Sequence, residues 1–479
     1  MNKNEPSSDT DPEKAENEEY RNFKEEPGDD DGENRNPTNR RSIISTGFFV
    51  TKSMIGSGLL IVPFIFRTFG ILYSIIIGFF LNFVTSLDAY FLLRCKDITQ
   101  RYSYAIYSKL SMGLIGTITC KIAVIIRSFT LCCVLLKNIG KIIRTLLLIF
   151  FNKYKDRFFL NSEFLLVVFS FLITPMMFQK DISGVAKFTS LGIYSIIFLF
   201  ISLLILFIYK INKNEILPLE KDMLYSSGDF FKKFKSFGSY LNAYLFQVNF
   251  FPIYLPLQPR STKNMMKATI FGSSLSMVIY LAFGIIGFII YRYDIDDTLL
   301  VYLGDDLIKY LETNKIMAAL LISFELAFII NSTISTMLNF FTGKSGLIAF
   351  VKFILKYIKK NNNKDIPLVD VDEKGVALEV KKDKKQHILS EGNKTLITLF
   401  AYIIIIFVGY TSENIISIDN FNGSTVNNYV SIILPSLFYI ILSKDKGFSF
   451  EKCLAILLCI FGLCLIIGFL LINCSNIFV

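Results

Sequence analysis

The 479-residue chain has no tryptophan, 12 prolines and a single histidine. The first two scarcities exclude nothing. The third excludes a good deal, because His387 stands alone in a lysine-rich stretch, which removes most metal enzymes and most enzymes that use histidine as a base. No G-x-S-x-G nucleophile elbow occurs. Thr342-Gly343-Lys344-Ser345 carries a GKS, but Leu338 stands where a phosphate-binding loop needs its first glycine. The eight cysteines include no C-x-x-C pair and mostly fall in apolar runs, as small space-fillers rather than a disulfide or metal framework. No cofactor and no enzyme activity is expected.

Charge is scarce too. Asp, Glu, Lys and Arg make up 19% of the chain, against about 25% in soluble proteins, while 52% is hydrophobic and the mean hydropathy is +0.49. The charge gathers in the first 42 residues and in short intervening segments. Long apolar stretches are left, as in a multi-pass membrane protein. The net charge of +10 does not point to nucleic acid, because the basic residues cluster between apolar segments, where they orient a chain in a lipid bilayer.

Residues 1–42 hold 13 acidic against 7 basic side chains and almost no apolar run, and read as a disordered, cytosolic acidic tail rather than a signal peptide. Residues 43–479 form the membrane domain. About 20 apolar residues are needed to cross a ~30 Å hydrocarbon core. That length finds eleven candidate spans, near 43–66, 71–93, 114–136, 160–178, 183–209, 236–256, 267–291, 315–341, 394–412, 427–443 and 452–474. With the N-terminus inside, inner segments carry 31 Lys and Arg, outer segments 16, and three lie within spans. The bias favours a cytosolic N-terminus, although the outer segments 137–157 and 210–235 break the rule with six each. The sequon at Asn422 then falls outside, where it can be glycosylated. Residues 345–392 form a cytosolic basic loop, which opens with a short interfacial helix over 345–360, its apolar residues at helical spacing beside four lysines.

The first and sixth spans are interrupted. In Lys52-Ser53-Met54-Ile55-Gly56-Ser57-Gly58, two glycines flank a serine at mid-membrane depth, with Pro63 beyond. Glycine permits an unwound turn, tolerated at that depth where it is buried in protein or lines a cavity. A half-helix starting near Ser57 and Gly58 would aim free N–H groups at an anion such as a carboxylate. The alternative is a small-residue packing face. The sixth span holds Asn242, Gln247, Asn249 and Pro252, costly in a membrane unless they face something polar. A second broken helix on the same cavity accounts for them, and so does a polar pair bonding a neighbouring helix. Breaks five spans apart place the two halves in opposite orientation, as in inverted-repeat transporters. Lys52, Asp88, Lys121, Arg127 and Glu325 are intramembrane charges, with a partner or a function expected of each. For Arg127 a structural role is favoured, snorkelling or pairing with Asp88 or Glu325.

Lys52-x-x-Ile55-Gly56-Ser57-Gly58-Leu59-Leu60-x-x-Pro63 resembles the first-helix signature of the amino acid/auxin permease family, most of all its proton-coupled amino acid transporter branch. The run from Phe251-Pro252-Ile253-Tyr254 to Arg260-Ser261 is similar to the family's sixth-helix ending. Thr174-Pro175-Met176 with Phe188-Thr189-Ser190-Leu191, and Ile433-Leu434-Pro435-Ser436-Leu437-Phe438-Tyr439, resemble its fourth-to-fifth and tenth-span motifs. The resemblance implies an all-α integral membrane fold of eleven transmembrane helices, a five-plus-five inverted repeat of the amino acid–polyamine–organocation type with helices 1 and 6 broken. It implies an amino acid substrate whose carboxylate meets Gly56, Ser57 and Gly58 and whose amino group meets carbonyls around Tyr244–Gln247, with Ser53 and Asn249 close by. Lys52 stands where the sodium-coupled branch has Asn, so an ammonium takes the place of a cation and sodium coupling is not expected. Phe49 and Gln247 stand where relatives carry histidines. If protons are carried, Lys52, Asp88 or Glu325 must carry them; otherwise transport is facilitative. A channel and a non-transporting amino acid sensor of the same fold stay open as alternatives. So does the choice between the plasma membrane and a vacuolar or lysosome-like one.

Overall fold

With no water in the hydrocarbon core, backbone groups must be satisfied within the segment, and a helix does this. The computed structural model describes residues 40–151, 157–178, 182–216, 218, 220–225, 230–292, 295, 298–362, 389–412, 415–444, 447 and 449–475. Among these, every regular element is helical; the one strand-like contact is an isolated parallel bridge between Arg41 and Leu257.

Helices α1 (Ile43–Met54) and α2 (Gly58–Phe69) are two halves of one segment bent by 65°. The Ser42 hydroxyl caps α1, accepting from the Ser45 N–H at 3.3 Å. Then come α3 (Ile71–Thr99) and α4 (Tyr104–Phe151), the latter kinked at Gly113, whose φ of 63° only glycine adopts without strain. After α5 (Ser162–Met177) and α6 (Ile182–Asn212), the sixth segment is again split, into α7 (Phe230–Tyr244), a 3-10 turn Gln247–Asn249, and α8 (Phe250–Tyr254). The chain closes with α9 (Thr262–Tyr291), α10 (Leu299–Thr313), α11 (Lys315–Asn362), α12 (Glu391–Thr411), α13 (Ile415–Leu442) and α14 (Phe450–Ser475).

Among the described residues, eight helices are long and apolar enough to cross a bilayer, nine when the α1–α2 pair is counted as one span. Two of the eleven expected segments fall short of that test. α5 has 16 residues, and the sixth segment is divided by its own polar centre. Side chains such as Phe171, Leu172, Phe407 and Leu471 are exposed on the helix surfaces, as an apolar solvent requires.

Three expectations change. Asn422 is buried inside α13, where a π-helical stretch runs Asn422–Val426, so it is closed to glycosylation. Residues 345–360 form no separate helix but continue α11 without a break. At about 1.5 Å per residue its 48 residues reach roughly 72 Å, far more than one span needs. Two supposed outer loops also begin as helix: Lys137, Lys141 and Arg144 belong to α4, and Lys210 ends α6 in an ion pair with Asp306 of α10 at 2.7 Å. Cations held this way are not loop charges, which removes part of the violation of the charge rule. Residues 1–39 of the expected acidic tail (1–42) and 363–388 of the expected basic loop (345–392) lie outside the described residues.

Arg41–Val479 is one compact unit. Its most extensive helix contacts are α11 on α4 and α6, and α1 on α9. The last depends on small residues: a Cβ on Gly272 would sit 2.3 Å from the Gly47 carbonyl oxygen. Such close backbones are how helices gain packing in lipid.

Candidate functional site

The cleft begins where α1 stops. Ile55 turns to an extended conformation after its N–H bonds Thr51, and α2 starts at Gly58 without a side-chain cap. The two glycines differ. A Cβ on Gly56 would meet nothing within 4 Å, whereas one on Gly58 would lie 2.7 Å from the Ala243 Cβ. Gly58 is therefore set by the close approach of α2 to α7, and Gly56 borders open space.

The end of α7 faces this break. The Tyr280 hydroxyl, from α9, lies 2.8 Å from the Met54 carbonyl and 3.0 Å from that of Ala243, so one tyrosine ties the last turns of α1 and α7 together. Thr85 of α3 donates to the Tyr244 carbonyl at 3.0 Å. Gln247 bridges the interruption itself, accepting from the Phe246 N–H at 2.9 Å and donating to the Thr85 carbonyl at 3.3 Å. Asn249 donates to the Ser53 hydroxyl at 2.9 Å, across the two broken segments.

Between the breaks lies a small cleft. Residues 52–58 form one side; Asn242, Ala243, Leu245 and Asn249 form the opposite one. Arg127, Leu131 and Leu135 of α4 and Ser335, Leu338 and Asn339 of α11 complete it. Of the residues expected from the sequence, Lys52, Ser53, Gly56, Ser57, Gly58 and Asn249 come together here. Tyr244 does not: its ring is buried behind the break between Tyr240 and Tyr280, at centroid distances of 5.5 and 5.4 Å. The Gln247 amide is turned to the backbone rather than the cleft. Asp88 and Glu325 are buried away from it, their carboxylate oxygens without hydrogen-bond partners among the described residues.

Lys52 is 3% exposed and spans from α1 to α11, donating to Asn331 Oδ1 at 2.6 Å and Ser335 Oγ at 2.7 Å. Its stem lies over Gly192 of α6, where a Cβ would come within 2.4 Å of Cε. The ammonium thus ties α1 to α11 through neutral oxygens, while the stem packs on α6. Arg127 is 2% exposed and makes no ion pair with Asp88 or Glu325. Its Nε donates to Asn427 Oδ1 at 3.3 Å and one terminal nitrogen to Asn339 Oδ1 at 3.2 Å. The ion pair, one of the two structural roles expected for it, is replaced by amides of α13 and α11.

Asn427 also donates to Asn242 Oδ1 at 2.7 Å, and Asn242 donates to Asp419 at 2.8 Å, so a buried polar chain leads from Arg127 through Asn427 of α13 and Asn242 of α7 to the Asp419 carboxylate. Sequence reasoning passed over Asn339 and Ser335, although a signal existed. Asn331, Ser335 and Asn339 recur at i, i+4 and i+8, a polar stripe along one helix face. Asn427 had no such signal, because the π-helical stretches Asn422–Val426 and Tyr429–Ile433 that flank it shift the register of α13.

Broken helices around a polar cleft, in a membrane domain whose described regular elements are all helical, are an arrangement that membrane transporters use. The profile of the family described as "Transmembrane amino acid transporter protein" matches residues 39–475, and the chain belongs to that family. It is 23% identical over 257 residues to the amino acid transporter AVT6C of Arabidopsis thaliana and 22% identical over 263 residues to AVT6D of the same plant. These matches cover 51% and 53% of this chain and 58% and 59% of the relatives, so it spans somewhat over half the length of either. Among solved structures, the manganese transporter of Eremococcus coleocola, in complex with an aromatic bis-isothiourea substituted compound, has a TM-score of 0.48 at 12% identity, over 88% of this chain and 85% of its own.

Proposed function

We propose that the chain carries amino acids across a membrane by alternating access, without sodium, as a proton-coupled symporter or a facilitative carrier. The observation that carries this reading is the meeting of the two interruptions, α1–α2 and α7–α8, on one polar cleft with open space at Gly56. The start of α2 offers N–H groups and a positive dipole end to a substrate carboxylate. The ends of α1 and α7 offer carbonyls to an amino group. In this reading the short α5 and the divided α7–α8 segment also span, which makes eleven helices, and the first ten form two inverted sets of five. Lys52 stands in for a coupling cation: its ammonium already occupies oxygens of α11. Asp88 and Glu325, buried carboxylates with no hydrogen-bond partner among the described residues, are the proposed proton carriers if coupling operates.

Purified protein in liposomes tests this. Saturable uptake of labelled amino acids, with counter-exchange and no change when sodium is replaced by choline, is expected. Conductance without saturation or exchange would make the chain a channel, and binding without flux a sensor. A requirement for sodium would overturn the role given to Lys52.

A further inference from the structure

Arg127 is a cation in the wall of the cleft with no carboxylate bonded to it among the described residues; Asp419 is reached only through the amides of Asn427 and Asn242. Guanidinium stays charged in any protein environment. The side chain is 2% exposed, its protein acceptors are the neutral amides of Asn427 and Asn339, and its second terminal nitrogen has no protein acceptor among the described residues. Lys52 borders the same cleft and is likewise held by neutral oxygens. No Asp or Glu lines the cleft among the described residues. A buried charge is stable only when paired and hydrogen-bonded. An amino acid with a neutral side chain brings one negative and one positive group, which leaves the cleft's positive excess uncancelled. One with a second carboxylate brings a net negative charge and a planar acceptor that matches the guanidinium fork.

We infer that the substrates are acidic amino acids, with the side-chain carboxylate held by Arg127 and the α-carboxylate by the start of α2. This rests on the transport reading for its physiological meaning, but binding can be measured without flux. Detergent-purified protein is titrated with aspartate, glutamate, asparagine and glutamine, each followed by thermal shift and by displacement of labelled aspartate. The wild type is expected to bind each acid on the order of a hundredfold more tightly than its amide, because the amide leaves the cation unpaired. In Arg127→Gln that ratio should collapse towards one, mainly through weaker acid binding. Asn339→Asp gives Arg127 an internal carboxylate in place of an amide oxygen it already bonds, and should also abolish the preference while keeping the protein monodisperse. If Arg127→Gln weakens acids and amides equally, Arg127 serves the α-carboxylate and the inference is wrong. If the wild type prefers amides or other neutral amino acids, it is wrong as well. Acid-selective binding with no uptake in liposomes would leave this inference standing and remove the transport reading.

Discussion

At the residue scale, the site turns on which small side chains are small for space and which for approach. Gly56→Ala is expected to insert and fold normally, since its Cβ meets nothing within 4 Å, while Gly56→Phe fills the cleft and should abolish uptake without altering the amount of protein in the membrane. Gly58→Val meets Ala243 directly. It should lower stability by about 1–3 kcal/mol, visible as a lower melting temperature in detergent. Lys52→Met removes the donor from Asn331 and Ser335 and leaves buried acceptors unbonded, a loss of about 1–3 kcal/mol for each. Uptake should be lost, and an unchanged transport rate in that variant would show that the ammonium is only a packing group. Lys52 and the Gly-Ser-Gly run were legible in the sequence because charge and glycine at membrane depth each need a reason. The role of Gly192 was not, since nothing in its own helix shows that the stem of Lys52 lies across it.

At the scale of elements, the breaks are held open by hydrogen bonds from outside the broken helices. Tyr280 of α9 serves the ends of α1 and α7 together, and Thr85 of α3 serves Tyr244 and Gln247. Tyr280→Phe keeps the ring and its packing but strips the hydroxyl from two buried carbonyls. Stability should fall by about 1–3 kcal/mol, and hydrogen exchange should rise at residues 54–57 and 243–246 more than elsewhere; a uniform change along the chain would count against this strap. The π-helical stretches of α13 turn Asn427 towards Arg127 and bury the Asn422 sequon. Asn422→Gln is accordingly expected to leave electrophoretic mobility unchanged after expression in a glycosylating host. Hydrophobic length located nine of the expected segments, the α1–α2 pair counted as one, but misjudged their limits at α4 and α11, where basic residues sit on helix rather than in loops. A lysine reads as a loop signal in a one-dimensional count, whereas a partner such as Asp306 lets Lys210 end a helix.

At the scale of the whole molecule, the proposed eleven spans would place the two ends of the membrane domain on opposite faces, and the bias of basic residues predicts a cytosolic amino end. Epitope tags joined before Arg41 and after Ser475 should then answer to antibody on opposite sides of intact cells; tags on the same side would require an even number of spans. The low charge and the long apolar runs settled by themselves that this is a membrane domain, because apolar length and side-chain ionisation are properties of a chain read in one dimension. The sequence also marked where two helices are interrupted, since glycine, proline and amides disfavour an uninterrupted apolar helix wherever it packs. Which cations share the cleft, which carboxylates stay out of it, and that Arg127 bonds amides rather than Asp88 or Glu325, were decided by tertiary structure alone. Those facts depend on the rotation of each helix about its axis and on which helices become neighbours, and both follow from packing between segments far apart in the chain.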